Sequence, residues 1–199
     1  MKNRLLAQLP HHVTCTHTTN EPHLYIVDWK DYNNGKVEIS GIESPEIKAI
    51  HLINQNRIEI LFDGFPENAL PITKKKRSKQ CECVVFPNNS DKKEWVLFIE
   101  TKYARDLSIA QNRRINYPYQ MVQQIKATVC YFRTKGIIAK DKIVHAIISF
   151  PNLIDNFNSW TFPIIHEGKE ESVLDILQND KIIIRATNNA LIQDERIII

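Results

Sequence analysis

The chain has 199 residues, 43% of them hydrophobic and 25% charged, with 26 Lys and Arg against 23 Asp and Glu for a formal charge of +3. That size and balance suit a single globular domain, 1–199, and exclude a disordered chain, a coiled coil and a collagen-like fibre. No apolar run approaches the roughly 18–20 residues of a membrane span, and Gln8 and Pro10 interrupt the opening apolar stretch, so a cytoplasmic protein with no membrane partner is expected.

In chain order, His23–Trp29 and Lys36–Ile39 flank the turn signal Asn33-Asn34-Gly35 and predict an N-terminal hairpin within 22–40. Ser44-Pro45-Glu46 then reads as a helix start, and Ile47, Ile50 and Ile53 at spacings of three predict a short helix over 45–54. Three apolar strands follow, at 57–62, 81–86 and 95–102, the first ending at the turn dipeptide Asp63-Gly64. A long helix is expected over 118–134, its stripe formed by Met121, Val122, Ile125, Val129 and Phe132 and its end marked by Gly136. A strand over 143–150 comes next, placed parallel to its predecessor by a right-handed crossover. A C-terminal β-rich extension over 152–199 contains a strand near 160–165, a helix near 172–177 and a hairpin pairing 182–186 with 191–199.

The chemistry concentrates on Glu82 and on Glu100-Thr101-Lys102. With a side-chain period of two, Glu100 and Lys102 share one face at the end of an apolar strand. Burying either charge costs several kcal/mol unless it is paired or coordinated. Glu82 opens an equally apolar strand, and antiparallel pairing of the two would bring its carboxylate beside Glu100 and Lys102. Carboxylate oxygens are hard ligands suited to Mg²⁺ or Mn²⁺, and a neighbouring ammonium can orient the attacking water. Cys15, Cys81, Cys83 and Cys130 match no common zinc spacing and read as reduced thiols, with Cys81 and Cys83 together on the face opposite Glu82.

In these residues and in the order helix, three strands, helix, strand, residues 45–150 resemble the PD-(D/E)xK nuclease superfamily, the restriction-endonuclease-like fold. The resemblance implies an α/β core (αβββαβ) with a mixed central sheet flanked by helices. It implies Glu82 and Glu100 as ligands of Mg²⁺ or Mn²⁺, Lys102 as the water-positioning cation, and Glu46 as the acid of the first helix, a place for which Glu43, Glu59 and Asp63 compete. The sequence departs from the family pattern in carrying Glu82 where Asp is usual and Cys81 where Pro is usual. Gln124 is followed four residues later by Thr128, where the RecB-like branch has Tyr.

The implied function is metal-dependent hydrolysis of phosphodiester bonds, with DNA as the expected partner; a chain of this fold without catalysis would instead be a nucleic-acid- or protein-binding module of a mobile-element or phage-defence system. Lys74, Lys75, Lys76, Arg77 and Lys79 crowd the segment leading to Glu82, where they would neutralise phosphates. Arg113 and Arg114 precede the long helix, and Gln120 and Gln124 lie on one of its faces, so all four are expected to touch nucleic acid. Cutting both strands of a duplex would favour a homodimer.

Overall fold

In the computed structural model the chain is described at residues 1–33, 35–73, 75–88, 95–110, 112, 114–153, 164–166 and 169–199. Among these residues eleven strands make two sheets packed face to face, and helices cover the outer side of the first. The first sheet has six strands: β1 (Thr16–Thr19), β5 (Ile60–Gly64), β6 (Cys83–Pro87), β7 (Leu97–Thr101), β8 (Val144–Ser149) and β11 (Ile182–Ala186), in that spatial order. The second has β13 (Ile197–Ile198), β12 (Asn189–Ile192), β4 (Ile50–Asn54), β2 (His23–Asp28) and β3 (Val37–Ser40). A separate ribbon pairs β9 (Ile164–His166) with β10 (Lys169–Glu171).

Strands β6 and β7 are buried along their whole lengths because each faces apolar side chains on both sides. They pair antiparallel, in the register Val84↔Phe98. Beyond β7 lie α3 (Leu107–Ala110) and α4 (Tyr117–Thr134), and β8 returns parallel to β7, as the crossover predicts. The α4 stripe Met121, Val122, Ile125, Val129 and Phe132 is buried, together with Thr128 and Tyr131. Gly136, at φ +67°, ends the helix: its N–H donates to Arg133 O (3.1 Å) and that of Ile137 to Phe132 O (2.9 Å). The helix layer is completed by α1 (Lys2–Gln8), whose Leu5 joins Leu9, Phe65, Phe98 and Phe132 in one core, and by α5 (Val173–Asp180), which Ser172 caps through a reciprocal bond with Asp175. A second core lies between the sheets and joins Ile60, Phe62, Leu97 and Ile99 to Leu24, Ile26, Leu52 and Ile192.

The hairpin of 22–40 is present as β2 and β3, with the one-turn helix α2 (Lys30–Asn33) between its strands. Three expectations are corrected. Residues 45–54 are not a helix: a bend leads into β4, a central strand in which Ile50, Leu52 and Asn54 are buried at period two while Ile53 is exposed. The β-branched residues that also fit a spacing of three are taken by the sheet. The hairpin of 182–186 with 191–199 does not form, because β11 pairs parallel with β8 in the first sheet and β12 parallel with β4 in the second. Asp63-Gly64 ends β5 rather than turning the chain. A Cβ on Gly64 would stand 2.7 Å from Val37 O, so the glycine is required by the close approach of β3 to β5.

The first sheet therefore draws on β1 and β11 as well as on residues 45–150, and the N- and C-terminal segments combine with β4 into the second sheet. The strand expected near 160–165 lies outside the described residues except for 164–165. Among the described residues no helix is long and apolar enough to cross a membrane.

Candidate active site

The local chain path at Glu82 departs from a regular ladder. Cys83 is the register partner of Ile99, yet the Glu82 N–H also donates to Ile99 O (2.9 Å), so two residues of one strand meet one of the other, as at a β-bulge. Alternation fails there. Cys81 packs into the helix-side core and Cys83 into the core between the sheets, which corrects the expectation that they share a face. Burial pushes both thiols up, as befits inert core residues.

This bulge sets Glu82 beside the end of β7. Lys102 Nζ lies 2.6 Å from Glu100 Oε1 and 3.5 Å from Glu82 Oε1. Glu100 is fully buried, and its Oε2 has no hydrogen-bond partner. Burial pushes the Glu100 carboxyl up to about 8, with Lys102 opposing the rise and Glu82 adding to it. Burial would lower the Lys102 ammonium, but Glu100 and Glu82 turn its net shift upward, so it stays charged.

Two further groups arrive from the second sheet. Lys30 Nζ donates to Glu82 Oε2 (2.6 Å), and the Lys30 backbone N–H donates to Asp28 Oδ1 (3.0 Å). Asp28 closes β2 and is buried; burial first, then the Glu82 charge, raises its carboxyl. For Lys30, burial acts downward and Glu82 overcomes it, leaving the ammonium raised. Glu82 is thus held between two lysines, one at each carboxylate oxygen. Sequence reasoning missed Asp28 and Lys30 because their approach is across sheets. Their one signal was Asp28-Trp29-Lys30 itself, an acid-x-Lys at the end of an apolar strand, the pattern of Glu100-Thr101-Lys102.

The other expected residues divide. A cavity of about 1070 Å³ is lined by Lys30, Lys79, Glu82, Arg114, Gln120 and Gln124, among others. The α4 face also orders the segment before Glu82: Gln124 Nε2 donates to Gln80 O (2.9 Å) and Cys81 N–H to Thr128 Oγ1 (2.9 Å). Lys75, Lys76 and Arg77 stand instead on an exposed turn, pinned by Arg77 Nη1 donating to Thr73 O (2.8 Å). That turn borders Tyr131, whose hydroxyl donates to Pro71 O (3.1 Å), about two turns along α4 from Gln124. Lys74 and Arg113 lie outside the described residues. Glu46 sits on an exposed bend and lines a different cavity with Glu43, Lys48 and Tyr103. Asp63, an alternative for the same place, is fully buried and bonded to His12 Nδ1 (2.7 Å).

Among the described residues no three His, Cys, Asp or Glu side chains stand together in metal-binding geometry. The chemistry of the donor pair nevertheless fits a hard divalent cation: Glu82 and Glu100 are carboxylates, and the Glu100 Oε2 is buried without a partner. The two lysines lie against these carboxylates, Lys102 on Glu100 and Glu82 and Lys30 on Glu82. Comparison of the chain with protein-family models, with curated proteins and with solved structures finds no match.

Proposed function

We propose that the protein is a divalent-metal-dependent nuclease with a restriction-endonuclease-like core, and that it hydrolyses phosphodiester bonds in DNA. The observation that carries this reading is the convergence of Glu82, Glu100 and Lys102 at the junction of β6 and β7, beside a cavity lined by Lys79, Arg114 and Gln120. The mixed sheet supports it too, with β7 and β8 parallel through α4 and β5, β6 and β7 antiparallel.

Mg²⁺ or Mn²⁺, when bound, supplies Lewis-acid stabilisation of the charge that develops on the phosphate. Glu82 and Glu100 would hold it. Lys102, charged and placed against both carboxylates, orients the attacking water. Lys79 and Arg114 supply positive charge along the cavity that receives the nucleic acid.

Lys102→Met and Glu100→Gln are expected to lower Mg²⁺- or Mn²⁺-dependent DNA cleavage by about 10²-fold or more while the circular dichroism spectrum stays that of the wild type. Cleavage unchanged in both variants would refute the mechanism. The two lysines on Glu82 favour a second reading, a nuclease-like fold that binds nucleic acid without cutting it. Duplex binding by the wild type with no cleavage at millimolar Mn²⁺ selects that reading.

A further inference from the structure

Lys30 differs from Lys102 in what its charge faces. Lys102 is shared between two carboxylates, one of them fully buried. Lys30 meets Glu82 Oε2 and lines the large cavity in company with Lys79, Arg114 and Gln120. Its side chain retains 30% exposure. An ammonium carries three donors, and Glu82 takes one of them.

The backbone beneath Lys30 is also fixed. Asp28 Oδ1 accepts from the Lys30 N–H, and the Asp28 N–H donates to the Tyr103 hydroxyl (3.4 Å), which in turn donates to Lys48 O (3.0 Å). Tyr103 directly follows Lys102, so the end of β2 is tied to the segment that leaves β7. The second sheet thereby holds a cation at a set place over Glu82, and a cation held at the wall of a polar cavity is the chemistry that recognises a phosphate.

We infer that Asp28-Trp29-Lys30 is a second acid-x-Lys element of the site, in which Lys30 contacts a phosphate oxygen of the bound nucleic acid and Asp28 holds it in position. This rests on the nuclease reading above and assigns the residue that meets the substrate. Lys102 keeps its place beside the water, while Lys30 takes the phosphate. Asp28 acts only through Lys30 and is a positioning residue.

The test measures binding of a fluorescently labelled DNA duplex to the full chain in EDTA, over a series of salt concentrations. Loss of one phosphate contact lowers the slope of log K against log salt by about 0.9 for a duplex. Lys30→Met is expected to show that loss, Lys30→Arg to restore the wild-type slope, and Asp28→Ala, which removes the acceptor of the Lys30 N–H, to weaken binding while keeping the slope. Wild-type binding with an unchanged slope in Lys30→Met overturns the role of Lys30 and leaves the nuclease reading standing. A wild type that neither binds nor cuts DNA overturns both. If Lys30→Met does not fold, amine-reactivity footprinting of the wild type decides: bound duplex must protect Lys30, and equal labelling with and without DNA refutes the contact.

Discussion

Glu100 folds into its place at an electrostatic cost that depends on pH. Its carboxyl rises from 4.5 to about 8 because it is fully buried, so the folded chain keeps a proton that the unfolded chain gives up. For an acid shifted this way the contribution to stability is full below about pH 4.5 and is lost progressively as pH rises toward 8. Glu100→Gln, neutral throughout, is expected to remove that decline, so its Tm in metal-free buffer should gain on the wild type between pH 4.5 and 8. A constant difference between the two curves would mean that Glu100 is not a buried, proton-holding carboxyl. At this scale the sequence revealed Glu82, Glu100 and Lys102, because charges that interrupt apolar strands stand out against the period of two. Asp28 and Lys30 carry the same acid-x-Lys pattern, but nothing local tells which two strands of different sheets end beside each other, so their place at the site was not readable. Lys75, Lys76 and Arg77 were misleading for a related reason: nearness in sequence to Glu82 did not survive the turn that carries them toward Tyr131.

At the scale of elements, strands β5 to β8 and helix α4 were readable because apolar runs, stripe and turn signals all agreed, whereas β1 was not foreseen and β11 was assigned the wrong partner. Pro118 stands in the first turn of the helix, Gly136 follows its end, and the stripe between them is buried. Residues 45–54 were not, since Ile47, Ile50 and Ile53 satisfy a helical spacing while Ile50, Leu52 and Asn54 satisfy a strand's, and only pairing with β2 and β12 decides between them. The fate of 187–189 was likewise beyond local reading, for Asn188-Asn189 suits a hairpin turn and a passage between sheets alike. Gly64 shows how an element's end can report a distant contact. Gly64→Ala would set a methyl 2.7 Å from Val37 O, a backbone atom that cannot yield without moving β3. The variant is expected to lose about 1–3 kcal/mol in urea unfolding. A variant as stable as the wild type would show that β3 and β5 can separate freely.

Across the whole molecule, the core between the sheets makes the site a joint product of both. Leu97, Ile99 and Cys83 of the strands that carry the acids pack with Leu24, Ile26 and Leu52 of the strands that carry Asp28 or flank it. The two sheets are therefore expected to unfold together. Leu97→Ala should cost about 2–5 kcal/mol and move the midpoints of far-ultraviolet circular dichroism and tryptophan fluorescence by the same amount. Trp95 stands in the shared core, while Trp29 sits between Asp28 and Lys30, so the emission reports on both sheets. Midpoints that part company would mean that the sheets melt as separate units.

The passage of the chain from β11 to β12 also governs the order of assembly. β4 is hydrogen-bonded on one side by β2 and on the other by β12, which follows it by more than a hundred residues. Such remote pairings close late, because the loop entropy must be met before the contacts reward it. A nascent chain thus presents β5, β6 and β7 with their carboxylates well before the sheet bearing Lys30 has its last strands. Until residues 189–192 emerge, β4 lacks its parallel partner, so the second sheet and the core it shares with β6 and β7 close only after the chain has been made through β12.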